Sequence, residues 1–302
     1  MNKAFKSGFV AIIGRPNVGK STLLNQFLKQ KIVIVSPKAQ TTRNKIQGIY
    51  TDDEAQIVFI DTPGFHKPKT ELGKIMNDYV SSALAGVDVV LLMCDVTKKI
   101  ADEDKTMISE LLKTKIPTIL VGNKVDLIKD QDELIANMDS YRAVFPFVSG
   151  ISISASNDYQ VDELIKLIKS NLKPGPMYYP EDQLLDQPER FVVAEIIREK
   201  ILLKTDDEVP HSVAVEIESF KGRPNKPDLI EIHATIVVER QSQKKIIIGS
   251  KGQKIKEIGI LARQDIAKLL GTKVYLELFV KVEENWRNHK MQLSNFGYTK
   301  DV

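Results

Sequence analysis

The chain is predicted to fold as an α/β domain, with a mostly parallel sheet covered by helices on both faces, followed by a smaller α+β domain. Three observations carry this. Over residues 8–171, apolar runs alternate with segments of helical period, and strand–helix alternation builds parallel sheets through crossover helices. Residues 172–190 then hold four prolines, Pro174, Pro176, Pro180 and Pro188, which suit neither a helix interior nor a central strand and mark a linker. From residue 191 the order becomes helix, strand, strand, helices around a G-x-x-G, strand. The expected divisions are 1–173, 174–190 and 191–302.

In the first part the strand runs are 9–13, 56–60, 87–94, 118–122 and 147–153. They are apolar with little alternation, as strands buried on both faces are. Helical patterns fall near 21–29, 72–84, 103–114 and 160–171. In the second part Phe191–Leu203 has helical period, and His211–Phe220 and Leu229–Glu239 alternate as strands around a connection containing Gly222 and Pro227. Lys254–Leu270 places Ile255, Ile258, Ala262, Ile266 and Leu269 on one helical stripe. Lys273–Val282 is a third strand, and an amphipathic segment surrounds Trp286, after which no chemistry is assigned.

Composition narrows the class. With 302 residues, 42% hydrophobic and 27% charged, the chain reads as an ordinary soluble protein long enough for two domains. No run approaches the roughly 20 apolar residues that span a bilayer, and Met1-Asn2-Lys3 leads into no secretory signal. The single cysteine, Cys94, ends an apolar run and is expected to be a buried thiol. A cytoplasmic protein is expected. Residues 188–302 hold 20 Lys/Arg against 17 Asp/Glu, which accounts for the whole net charge of +3. Within them Arg240, Lys244, Lys245, Lys251, Lys254 and Lys256 follow one another with no acid between.

The segment Gly14-Arg15-Pro16-Asn17-Val18-Gly19-Lys20-Ser21-Thr22 follows the run Phe9–Ile13 and opens a helical segment. Strand, glycine-bounded loop, Lys-Ser, helix is the context of a phosphate-binding loop, whose backbone N–H groups and helix N-terminus face an anion. Lys20 would reach the β- and γ-phosphates and Ser21 would bind Mg²⁺. Asp61-Thr62-Pro63-Gly64-Phe65 ends the next apolar strand, 41 residues after Lys20. There Asp61 would hold Mg²⁺ and the Gly64 N–H would meet the γ-phosphate. Asn123-Lys124-Val125-Asp126 follows another strand, and its carboxylate would take the two donors of guanine in a bidentate pair that adenine cannot offer. Ser154-Ala155-Ser156 would supply backbone N–H groups to the guanine carbonyl. Between the loop and Asp61, Gln40-Thr41-Thr42-Arg43 offers a hydroxyl to complete the metal shell, from Thr42, with Thr41 as competitor. GTP is thus the expected ligand, and a segment ordered by its γ-phosphate makes a switch.

Phe65 stands where many GTPases carry a water-orienting glutamine. His66 is a candidate replacement, with an exposed switch histidine the alternative. Slow, assisted turnover is expected. One form of assistance is a K⁺ ion ligated by Asn17 beside the phosphates.

In the second part Ile248-Gly249-Ser250-Lys251-Gly252 precedes Lys254 and Lys256. A G-x-x-G loop between helices, with cations around it, clamps about four nucleotides of single-stranded RNA or DNA, and the element order suits a KH-type domain. Arg198 and Lys200 are weaker RNA candidates.

These motifs, with Glu195-Ile196-Ile197-Arg198-Glu199-Lys200, resemble the Era family of bacterial GTPases nearly end to end. The resemblance implies a Ras-like GTPase domain and a C-terminal type II KH domain. It also implies binding near the 3′ end of small-subunit (16S) ribosomal RNA, a role in maturation of the small ribosomal subunit, and loose peripheral contact with the membrane. A monomer is expected. Two other readings stay open: a GTPase docking on another RNA such as tRNA, and an RNA-binding module that uses nucleotide only as a structural ligand.

Overall fold

The computed structural model describes residues 4–38, 41–64, 68–223 and 226–298. The strands of the first domain are β1 (Lys6–Ile13), β2 (Ile46–Thr51), β3 (Ala55–Asp61), β4 (Val89–Asp95), β5 (Thr118–Asn123) and β6 (Ser149–Ile153). They form one sheet in the order β2-β3-β1-β4-β5-β6, parallel except for β2 against β3. The helices are α1 (Lys20–Phe27), α2 (Glu71–Ala83), α3 (Asp102–Leu111), α4 (Gln131–Arg142) and α5 (Val161–Asn171). Leu23, Leu24 and Phe27 of α1 and Leu164, Ile165 and Ile168 of α5 bury one sheet face. Val80 and Ala83 of α2, Met107, Ile108 and Leu111 of α3, and Met138 and Tyr141 of α4 bury the other.

Two elements lie outside the sequence expectation. β2 carries Gly48 at its centre, which weakens any strand pattern. The glycine is there because a Cβ would lie 2.6 Å from Leu24 of α1. In α4 only Asn137, Met138 and Tyr141 are buried, so its apolar stripe is too thin to read, although Asp130 caps its first turn by accepting from the Asp132 N–H at 2.9 Å.

The proline-rich stretch is an ordered strap along the sheet. The Tyr178 and Tyr179 N–H groups donate to Gln56 Oε1, and the Ile49 N–H of edge strand β2 donates to the Leu184 carbonyl. It therefore covers a sheet edge that would otherwise stay unpaired.

The second domain comprises α6 (Glu189–Lys204), β7 (Ala214–Arg223), β8 (Lys226–Val238), α7 (Gln241–Ile248), α8 (Gln253–Leu270), β9 (Lys273–Val282) and α9 (Lys290–Asn295). β7 pairs antiparallel with β8, and β8 runs parallel to β9. The buried stripe of α8 is Ile258, Ala262 and Ile266, packed in one cluster with Val193, Ile197 and Ile201 of α6 and Ile232, Ala234 and Ile236 of β8. The helix–strand–strand–helix–helix–strand order matches the expected KH topology.

The segment after β9, assigned no chemistry from sequence, joins the domains. Trp286, Leu293 and Tyr298 pack with Leu72, Ile75, Met76 and Tyr79 of α2. The Trp286 indole N–H donates to the Ser212 carbonyl at 2.9 Å. Among the described residues no helix is long and apolar enough to cross a membrane.

Candidate functional site

The loop between β1 and α1 turns through three residues of positive φ: Gly14 (154°), Asn17 (63°) and Gly19 (105°). A Cβ on Gly14 would lie 2.4 Å from the Met93 carbonyl oxygen, and one on Gly19 would lie 2.2 Å from Asn123 Nδ2, so both close approaches require glycine. Gly19 caps α1 without a side chain, and the first turn of α1 carries no acid, whereas α3, α4 and α5 all do. The N–H groups at the start of α1 thus remain attractive to an external anion.

Lys20 is buried, and its ammonium donates to the carbonyls of Gly14 (3.0 Å) and Arg15 (3.1 Å). Burial lowers its pKa to about 8, with Asp61 partly opposing. Ser21 Oγ lies 2.8 Å from Thr42 Oγ1 and 2.9 Å from Asp61 Oδ2, and Thr42 Oγ1 lies 3.5 Å from the same oxygen. The buried Asp61 Oδ1 has no hydrogen-bond partner among the described residues. Burial raises the Asp61 pKa to about 6, against the opposing influence of Lys20, Ser21 and Thr42. Three hard oxygens beside an orphaned carboxylate oxygen fit Mg²⁺, which takes oxygen ligands and keeps several waters. Of the two threonines Thr42 is the one at this cluster; Thr41 Oγ1 turns away to the Lys38 carbonyl at 2.7 Å.

Lys20, Ser21 and Thr42 line a cleft of about 350 Å³ with Pro16, Asn17, Thr22, Gly64, Asn123, Lys124, Asp126 and Ser156. Gly64 rests on the loop, where a Cβ would lie 2.7 Å from the Pro16 backbone nitrogen. Asn123 ties three loops together. Its Nδ2 donates to the Val18 carbonyl at 2.8 Å, and its Oδ1 accepts from the Ala155 N–H at 2.9 Å. Lys124 (φ 73°) pairs with Asp95 at 2.7 Å, and exposed Asp126 sits in a short 3₁₀ turn over Val125–Leu127.

Several expected residues play other parts. The Ala155 N–H is engaged by Asn123, and the Ser154 N–H by the Tyr159 carbonyl at 3.2 Å, so neither stands free for a guanine carbonyl. Ser156, which lines the cleft, is the remaining member of that run. Val18 is core, and Thr62 staples β3 to β1 by donating to the Ile12 carbonyl at 2.9 Å. Val125 packs against the α3–α4 core. Arg15 turns from the cleft to Asp104 at 2.9 Å, a buried carboxylate that also accepts from Tyr141 Oη at 2.8 Å. Pro63 is buried beside Gly64. Gln40, Phe65 and His66 lie outside the described residues. Burial pushes the Cys94 thiol up to about 12, as an inert core cysteine requires.

In the second domain Gly249 (φ 71°), Lys251 (φ 49°) and Gly252 (φ 76°) form the turn between α7 and α8. A Cβ on Gly249 would lie 2.7 Å from Lys254 Cβ, whereas one on Gly252 would meet nothing within 4 Å, so Gly252 is fixed by its dihedral alone. Ser250, Lys251 and Lys256 are exposed, Ile248 and Lys254 half-buried, and the first turn of α8 carries no acid. This is again a helix start open to phosphate.

Arg198 and Lys200 do not join this surface. Both are buried on α6. Arg198 pairs with Glu195 at 2.5 Å and also donates to the Thr41 carbonyl, and Lys200 pairs with Glu199 at 2.7 Å and with Asp265. Their pattern of alternating charge is the same from sequence whether it faces solvent or the rest of the protein.

A phosphate cradle with a carboxylate–hydroxyl metal cluster, on a mostly parallel sheet followed by a G-x-x-G domain, defines a P-loop GTPase joined to a KH domain. Residues 9–124 match the family described as 50S ribosome-binding GTPase, and residues 208–287 match the KH domain. The chain is 41% identical to a variant of Aquifex aeolicus Era bound to GDP·AlF₄⁻, with 98% of this chain and 100% of that one covered and a TM-score of 0.94. It is likewise 41% identical to Era in complex with MgGDPNP and nucleotides 1506–1542 of 16S ribosomal RNA, over 98% and 99% of the two chains, with a TM-score of 0.95. The chain belongs to the Era family of GTPases.

Proposed function

We propose that the protein is a GTP-hydrolysing switch whose KH domain grips single-stranded RNA at the 3′ end of 16S ribosomal RNA, in the service of small-subunit maturation. The observation that carries the catalytic half is the meeting of Ser21, Thr42 and Asp61 oxygens beside buried Lys20. GTP or GDP occupies the cleft with its phosphates on the loop amides and its base at Asp126. Ser21, Thr42 and Asp61 would hold Mg²⁺, which would supply positive charge against the charge developing on the phosphate oxygens. Lys20, released from the two carbonyls, turns its ammonium to the same oxygens, and Thr42 senses the γ-phosphate. Catalysis is then electrostatic, by groups fixed in place before the reaction.

The RNA half rests on the Gly249–Gly252 turn with Lys251, Lys254 and Lys256, and on the relative that holds nucleotides 1506–1542 of 16S ribosomal RNA. We take 1–173 as the GTPase domain, 174–190 as the strap and 191–302 as the KH domain. The same reading places a monomer in the cytoplasm, and membrane contact rests on family resemblance alone. Asn17 Nδ2 donates to the Pro37 carbonyl at 2.9 Å. A K⁺ ion there would need that amide turned over, so that its oxygen and the Pro37 carbonyl face the ion, which would supply charge in place of an arginine.

The deciding experiment is multiple-turnover phosphate release by the full chain, with Lys20→Ala as control and with added 16S 3′-end RNA or a tRNA. Turnover lost in Lys20→Ala and altered by the rRNA strand alone is expected. Equal response to both RNAs would favour another RNA partner, and no turnover under any condition would favour nucleotide as a structural ligand.

A further inference from the structure

We infer that Arg43 and Arg198 are positioning residues for the GTPase reaction, which fasten residues 41–43 to the KH domain and so hold Thr42 at the metal-binding oxygens. The inference rests on the reading of Thr42 as a Mg²⁺ ligand.

Both guanidinium groups are among the largest fully buried side chains of the protein. Neither lines the nucleotide cleft, so neither acts on the phosphates directly. Arg43 Nη1 donates to the Val213 carbonyl at 2.6 Å and Nη2 to the Pro210 carbonyl at 3.0 Å, both in the segment that leads into β7. Arg198 is set by Glu195 one turn earlier on α6, at 2.7 Å from Nε and 2.5 Å from Nη2, and donates from Nη2 to the Thr41 carbonyl. The residues on either side of Thr42 are thus both tied to the second domain, one through its carbonyl and one through its side chain. Thr42 itself faces the other way, to Ser21 and Asp61.

Stability does not account for this arrangement. Among the described residues only Arg198 of the two cations has a carboxylate partner, and neither Arg43 Nε nor Arg198 Nη1 has a hydrogen-bond partner. A buried charge without full pairing is costly, and apolar residues of similar volume commonly serve stability as well or better. What the two arginines do supply is a fixed backbone on both sides of the one hydroxyl that must meet the metal. The Val35 N–H, earlier in the same stretch, donates to Glu199 Oε1 at 3.0 Å, so α6 holds the segment at a second point.

The test is GTP hydrolysis by the full chain as a function of Mg²⁺ concentration, in Arg198→Ala, Arg43→Lys, Thr42→Ala and Arg198→Ala/Thr42→Ala, with GDP affinity and thermal midpoints measured alongside. Freeing one backbone residue should raise the half-saturating Mg²⁺ for turnover on the order of tenfold in either arginine variant. GDP affinity, with no γ-phosphate for the segment to meet, should stay within about twofold. The double variant should match Thr42→Ala, because the arginine acts only through that threonine. If Thr42→Ala leaves the Mg²⁺ dependence unchanged, the reading of Thr42 fails and this inference with it. A shift in Thr42→Ala with wild-type behaviour in Arg198→Ala overturns the positioning role alone. So does a parallel loss of GDP affinity, or additive effects in the double variant, since either marks a general structural defect. Arg198→Ala decides the matter if Arg43→Lys does not fold.

Discussion

At the residue scale the nucleotide site is governed by two buried ionisable groups whose pKa values lie close together. Lys20, lowered to about 8 by burial, binds a phosphate best when protonated, and bound phosphates raise its pKa. Above pH 8 binding must therefore take up a proton, and affinity falls as pH rises. Asp61, raised to about 6 by burial, must be ionised to hold Mg²⁺, so below pH 6 binding must release a proton and affinity falls as pH drops. Mg²⁺-dependent GTP affinity should be flat between about 6 and 8, and calorimetry in buffers of different ionisation heat should show uptake on the alkaline side and release on the acid side. On the proposed reading another carboxylate, that of Asp126, sets the base. Asp126→Asn removes a charge-assisted pair of about 1.5–3 kcal/mol, so GTP should bind about 10- to 150-fold more weakly. Xanthosine triphosphate, which carries a carbonyl where guanine has its amine, should gain in competition binding. The sequence showed these residues clearly because each motif fixes a residue type at a strand end. It showed less of where each side chain turns: Ala155 reads as a base contact until Asn123 is seen to engage its N–H.

At the scale of elements, the helix starts left open to phosphate are those with glycine at the N-terminus and no acid in the first turn, α1 and α8. This contrast was legible in the sequence, since glycine, lysine and missing carboxylates are all composition at fixed positions. If Lys251, Lys254 and Lys256 each neutralise one phosphate, replacing all three with Ala should reduce the slope of log affinity against log salt by about 2 for single-stranded RNA, measured by filter binding from low to high salt. An unchanged slope would mean that the helix start does not carry the contact. Less legible were β2, whose central Gly48 makes room for Leu24, and α4, whose stripe is too thin. Arg198 and Lys200 were misplaced for a related reason. A helix that is charged on several faces looks exposed in sequence, but α6 is covered by α8 of its own domain and by the GTPase domain, and the contacts that bury it are distant along the chain: Lys200 meets Asp265 and Arg198 meets Thr41. The segment after β9 is similar. Trp286→Phe keeps most of the buried ring but leaves the Ser212 carbonyl without its indole donor. It should cost about 1–3 kcal/mol, read as a lower urea midpoint at constant slope.

At the scale of the whole molecule, the KH domain holds both segments that a γ-phosphate would move. Residues 41–43 are bound through Arg43 and Arg198, and α2, which follows the Asp61–Gly64 turn, packs its buried Leu72, Ile75, Met76 and Tyr79 on Trp286, Leu293 and Tyr298. A change at the phosphates therefore cannot stay in the first domain without breaking contacts in the second. Packed interfaces of this kind tend to have discrete arrangements and do not deform smoothly. Coupling between two sites is reciprocal, so the factor by which a non-hydrolysable GTP analogue changes RNA affinity relative to GDP must equal the factor by which RNA changes the preference for the analogue over GDP. With both segments attached, that factor should lie in the range of about 5 to 150. Fluorescence titrations of a 16S 3′-end strand against protein saturated with each nucleotide, and of each nucleotide against protein saturated with RNA, measure the two factors independently. Equal factors well above one mean that the domains act as one switch. Factors near one mean that Gly249–Gly252 and Gly14–Ser21 are merely carried on the same chain. Ile75→Ala should reduce both factors together, because the apolar contact of α2 with Trp286, Leu293 and Tyr298 belongs to neither binding site and connects the two domains.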